Sequence, residues 1–125
     1  MATLDIAKTT STPRVCFDAA TKILHIDGES YPENSFEFYG PVLAWIRAYL
    51  AERHALDLDI NVSYLNSSST KCLLDLLDLL EEGHEQGDRV SVVWRYDRDN
   101  PRSHSLATEF QEEVTFPFSI AAYED

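Results

Sequence analysis

Apolar and polar residues alternate from Leu56 to Leu65. Leu56, Leu58, Ile60, Val62 and Tyr64 share one side; Asp57, Asp59, Asn61 and Ser63 share the other. Successive strand residues point to opposite faces, so this reads as a strand with one face on a core and one facing water. Arg89 to Asp97 repeats the pattern, with Val90, Val92, Trp94 and Tyr96 against Ser91, Val93, Arg95 and Asp97. Arg14 to Asp18 and Lys22 to Asp27 are shorter β-type runs around Ala19-Ala20-Thr21, a hairpin signal, and Gly28 is expected to end the second. Thr115 to Ala121 reads as a last strand, which Pro117 assigns to a sheet edge.

Three segments carry helical spacing instead. Phe36, Tyr39, Leu43, Ile46 and Leu50, joined by Val42 and Tyr49, make a wide apolar stripe running to about Arg53. Asn34 followed by Glu37 fits a capping box at its start. Pro41 lies inside that span, so the expectation is a long helix kinked at the proline. Ser68 to Glu82 is leucine-rich with Asp75, Asp78, Glu81 and Glu82 outside, and Gly83 or Gly87 should end it. Pro101 to Glu113 carries Leu106 and Phe110, enough for a short amphipathic helix.

The order is β-β-α-β-α-β-α-β, preceded by residues 1–12, which read as a flexible tail with a short edge strand around Leu4 to Ile6. Strands joined through helices should be parallel. Repeated alternation, in place of continuous apolar runs, puts the helices mainly on one face of a mixed sheet. The fold class is therefore α/β, bordering on α+β, in a single domain over residues 13–125.

Of the 125 residues, 44% are hydrophobic, enough for a substantial core. Ten Lys and Arg against 22 Asp and Glu give a net charge of −12, which disfavours nucleic acid and anionic membrane surfaces as partners. No apolar run approaches the length of a membrane span, and Met1 to Thr12 lacks the apolar segment of a signal peptide. Cys16 and Cys72 have no close spacing and read as free thiols of a reducing cytoplasm. His25, His54, His84 and His104 are scattered, so no metal site and no cofactor is expected. No phosphate-cradling glycine loop, nucleophile elbow or catalytic carboxylate pair can be picked out, so no catalytic residue is assigned. Phe38 and Trp45 lie off the main apolar stripe and are candidates for a contact surface.

The chemistry that remains is the turn Asn66-Ser67-Ser68-Ser69-Thr70-Lys71-Cys72 between a strand and the leucine-rich helix. Hydroxyl and amide side chains here suit an N-cap, and capping by Ser67 or Ser68 is the commoner fate of such residues. The same position lies at the positive end of a helix dipole, where free N–H groups would hold a phosphate. Cys72 in the first turn is either a thiol with lowered pKa or a small buried residue.

The strand followed by Asn66-Ser67-Ser68 resembles the phosphorylation turn of STAS-domain anti-sigma factor antagonists, with Asn66 and Ser69 departing from that pattern. The chain more closely resembles the SiaC family of bacterial regulatory phosphoproteins. The resemblance is carried by Ser11-Thr12-Pro13, the stretch Gly28 to Ser35, Tyr64-Leu65-Asn66, Ser68, Leu76, Asp78 to Glu82, Trp94, Tyr96-Asp97 and Phe116-Pro117-Phe118. It implies a STAS-like fold and a non-enzymatic partner switch. Ser67, following the turn's Asn, would be the phosphorylation site, surrounded by Asn66, Ser68, Ser69 and Lys71. A SiaB-type kinase would add the phosphate and a PP2C-type phosphatase remove it. The unphosphorylated form would bind and stimulate a diguanylate cyclase, raising cyclic di-GMP and favouring aggregation or biofilm. Rival readings are an antagonist acting on an anti-sigma kinase, a ligand-binding domain with no switch, and a hydrolase using Ser67 or Cys72.

Overall fold

A computed structural model describes residues 3–123. Six strands form one sheet in sequence order: β1 (Asp5–Ile6), β2 (Arg14–Asp18), β3 (Ile23–Ser30), β4 (Leu56–Leu65), β5 (Val90–Asp97) and β6 (Phe118–Tyr123). The β1–β2 and β2–β3 pairs are antiparallel; β3–β4, β4–β5 and β5–β6 are parallel. The parallel steps are joined through α1 (Ser35–Ala51), α2 (Ser67–Glu85) and α3 (Pro101–Glu112). The mixed sheet and the parallel pairing are those the alternating pattern predicts, and β6 is an edge strand as Pro117 suggested. The candidate edge strand near Leu4 to Ile6 is β1; Met1 and Ala2 of the expected tail lie outside the described residues.

One sheet face supplies the core. Leu24, Ile26, Leu58, Ile60, Val92 and Trp94 are almost fully buried, together with Ile46, Leu73, Leu76, Leu80 and Phe110 of the helices. Burying a Leu or Ile side chain stabilises a fold by roughly 1.5–3 kcal/mol, so this layer dominates the stability. The opposite face carries Arg14, Cys16, His25, Asp27, Asp59 and Arg95, where Arg95 Nε donates to Asp59 Oδ1 and Oδ2 at 2.9 and 3.1 Å.

Four local expectations change. Gly28 does not end β3. It adopts φ +135°, and the strand runs on to Ser30 through a β-bulge. In β4, Val62 pairs with Gly28 and Tyr64 with Glu29, leaving Ser63 unopposed. One extra residue reverses the facing of everything after it. Tyr64 therefore points out and is exposed, while Leu65 turns inward against the core. In α1, Trp45 is not a surface residue: it stacks on Tyr49 at 4.8 Å and meets Phe17 of β2 at 4.7 Å. Phe36, assigned to the buried stripe, is exposed.

The helix ends follow local chemistry. α1 starts at Ser35 with the Asn34 side chain accepting from Glu37 N at 3.1 Å, and it runs through Pro41 as a single long helix. Pro41 is exposed, so water can reach the carbonyl bond it forgoes. Gly83 lies inside α2, against Asp88 and Leu50; Gly87, at φ +94°, follows the helix end.

Candidate functional site

The parallel strands β3 and β4 end side by side at the N-termini of α1 and α2, and the serine turn lies at that junction. Asn66 N donates to Ser30 O at 3.0 Å, tying the turn to the end of β3. The cap of α2 is Asn66 rather than Ser67 or Ser68. Its Oδ1 accepts from Ser69 N at 2.9 Å while its Nδ2 donates to Pro32 O at 3.3 Å. An N-cap amide satisfies one orphan N–H of the first turn, so the serines that follow are released from that task.

The four hydroxyls then divide by direction. Ser69 is fully buried and bonds to Ser30 Oγ at 2.8 Å and Ser35 Oγ at 3.0 Å. Ser68 is half-buried, 2.8 Å from Ser35 Oγ. Thr70 Oγ1 donates to Asn66 O at 3.0 Å. Ser67, the first residue of α2, is exposed, and its hydroxyl has no hydrogen-bond partner among the described residues. Lys71 stands one turn further along the same helix face, exposed and in no ion pair among the described residues.

Behind the turn is a buried hydroxyl network that the sequence reading missed. Ser30 Oγ lies 2.6 Å from Tyr39 OH as well as bonding Ser69. Burial pushes the Tyr39 phenol up to about 12, its hydrogen bond to Ser30 opposing, so it stays protonated and able to donate. The network locks the starts of α1 and α2 to the end of β3. Continuing the inward parity of Leu24 and Ile26 through Gly28 would have found Ser30. Ser35 and Tyr39 belong to the capped start of α1.

Of the two candidate nucleophiles, Cys72 is buried, and burial with help from Asp75 pushes its thiol up rather than down despite Lys71. The four histidines fall on separate neighbours: Asp59 for His25, Tyr49 for His54, Phe116 for His84 and Tyr96 for His104. Among the described residues, no group of three His, Cys, Asp or Glu side chains could hold a metal ion, and no helix is long and apolar enough to cross a membrane. What the turn offers chemically is one free hydroxyl at the positive end of a well-anchored helix.

Comparison with known proteins places this geometry. The model of the SiaC family regulatory phosphoprotein matches residues 6–123. An uncharacterized protein of Pseudomonas aeruginosa strain UCBPP-PA14 is 46% identical, with all of both chains covered. The crystal structure of apo-SiaC from Pseudomonas aeruginosa superposes with a TM-score of 0.92 at 46% identity, covering 97% of this chain and 99% of that one. A chain in the crystal structure of the diguanylate cyclase SiaD in complex with its activator SiaC, from the same organism, matches with a TM-score of 0.92 at 47% identity, covering 96% and 99%.

Proposed function

The chain belongs to the SiaC family of regulatory phosphoproteins, and on that premise we propose that it is a non-enzymatic, cytoplasmic partner switch whose setting is the phosphorylation state of Ser67. With Ser67 free, the chain binds and activates a diguanylate cyclase, raising cyclic di-GMP and favouring aggregation or biofilm. A SiaB-type kinase esterifies Ser67 and ends the contact; a PP2C-type phosphatase restores it. The cyclase partnership is supported by the whole-length similarity to SiaC, which is the activator in its complex with SiaD. The observation that carries the choice of residue is that Ser67, alone among the four hydroxyls of the turn, is exposed and unbonded.

Phosphate adds a charge of about −1.5 to −2 and three acceptor oxygens. At the first position of α2 it meets the helix dipole and free N–H groups, which stabilise it locally. Lys71 is placed to share its charge. The core lies behind Asn66 and the hydroxyl network, so the fold survives and the change is confined to the surface. A docking partner must strip water from the new group. A loss of ~3 kcal/mol would weaken the complex about a hundredfold.

The test is phosphorylation by the cognate kinase with ATP, followed by mass-spectrometric mapping. The expected result is modification at Ser67, with none in Ser67→Ala. Full modification of Ser67→Ala would refute the assignment.

A further inference from the structure

The two edges of the sheet are built differently. β1, at one end, is two residues long and carries Asp5. β6, at the other, is six residues long and carries no charge. The chain leading into it is equally neutral: Val114 to Tyr123 holds no Asp, Glu, Lys, Arg or His, in a molecule of net charge −12. Edge strands are usually blunted by charge, proline, a bulge or shortness, because their open backbone groups template another strand. β1 is blunted in two of these ways. In β6, Pro117 guards only the entrance.

The ladder shows which backbone groups are open. Val92 N donates to Pro117 O at 3.0 Å and Arg98 N to Tyr123 O at 2.9 Å, so the odd-numbered residues of this strand turn their backbone groups towards β5. Those of Phe118, Ile120 and Ala122 point away from the sheet. Gln111 Nε2 donates to Phe118 O at 2.7 Å. The N–H and C=O of Ile120 and Ala122 have no partner among the described residues.

An antiparallel strand satisfies such groups when residues with outward groups face one another. β6 meets this condition with itself. About a two-fold axis normal to the sheet, Ile120 faces Ile120 of a second copy, and Phe118 faces Ala122. The side chains agree as well. Ile120 packs on the core but is only half-buried, so pairing covers what remains. On the open face Ser119 meets Ala121, both too small to hold the strands apart. We propose that β6 is a self-association edge, on which a second copy of this chain adds its own β6 antiparallel to form a two-fold dimer with one continuous sheet. A second copy suits this edge better than a charged strand, since it offers no ion to pair and lets two acidic molecules meet where neither carries charge. Growth stops at two, because the other edge, β1, is blunted. The contact is one strand from each copy, so the dimer is weak, with a dissociation constant on the order of 0.1 mM. No residue of the serine turn takes part, so the inference stands apart from the switch.

Sedimentation velocity of the full chain from about 10 μM to 1 mM tests it. Monomer should pass to dimer across that range. Association should tighten several-fold as salt rises from about 0.05 to 0.5 M, because salt screens the repulsion between two acidic chains. Ala122→Pro should weaken association by about tenfold or more. It removes an outward N–H and leaves the ladder to β5 intact, so its melts should match wild type. Hydrogen exchange of the wild type needs no variant: the amides of Ile120 and Ala122 should slow with rising concentration, and those of Ser119 and Ala121, already in the ladder, should not. A chain that stays monomeric throughout, a species larger than a dimer, or unchanged association of a folded Ala122→Pro would overturn the proposal. So would protection of Ile120 and Ala122 by purified SiaD of Pseudomonas aeruginosa in a chain that does not self-associate, which would assign the edge to the cyclase.

Discussion

Replacing Asn66 by Ala should separate what holds the turn from what the turn presents. The substitution removes the acceptor for Ser69 N at 2.9 Å and the donor to Pro32 O at 3.3 Å. Loss of an N-cap costs about 1 kcal/mol, within 0.5–2. The second bond is part-buried and contributes about 0.5–1.5 kcal/mol more. The two share one side chain, so a total near 2 kcal/mol is expected, or about 8 °C in Tm at roughly 4 °C per kcal/mol for a domain of this size. Ser67→Ala, at an exposed and unbonded hydroxyl, should stay within about 0.5 kcal/mol of wild type. Urea denaturation read by far-UV circular dichroism and by tryptophan fluorescence measures both. Equal losses in the two variants, or an Asn66→Ala variant as stable as wild type, would show that the turn is not anchored as described.

Tyr39→Phe should lose about 1–2 kcal/mol at neutral pH, because the buried Ser30 hydroxyl loses its partner at 2.6 Å. The wild-type phenol is raised to about 12 in the folded state from 10 unfolded, so its share of stability is complete below pH 10 and lost as pH rises from 10 through 12. Urea midpoints across that range should fall more steeply for wild type than for Tyr39→Phe, and parallel curves would count against the buried network. Gly28→Ala should destabilise by about 2 kcal/mol or more, since its φ of +135° strains any side chain and a Cβ would meet Pro13 Cα at 3.2 Å; a neutral result in the same melts would dispute the bulge. Pro41→Ala should raise the melting temperature, because a helix interior regains a bond to the Glu37 carbonyl; a drop of several degrees would mean that the proline geometry is needed.

The sheet and its helices are legible in the chain because each strand facing the core keeps its period of two and each helix its apolar stripe. Reading fails where one residue breaks the count. Ser63 is an extra residue in β4, and nothing local in Val62-Ser63-Tyr64 distinguishes a bulge from continued alternation, so the pattern puts Tyr64 on the core side while the bulge turns it outward. Gly28 looks like a stop because glycine usually punctuates a strand; here its positive φ lets the strand bend past Pro13 and continue. Trp45 is buried although it lies off the main stripe, because Phe17 of β2 meets both Trp45 and Tyr49 and makes the buried face of α1 wider than one stripe. At the site, the turn itself was readable from the run of four hydroxyl residues. The division of labour among them was not, since it depends on Ser30 and Ser35, which lie more than thirty positions away.

The decisive measurement is the affinity of the diguanylate cyclase for the chain in two preparations, one unmodified and one fully phosphorylated at Ser67, with amide chemical shifts recorded for both. A fall in affinity of about a hundredfold is expected. Shift changes should be confined to the turn and the ends of β3 and β4. Unchanged affinity, or shift changes spread through the core, would contradict a surface switch on an intact fold.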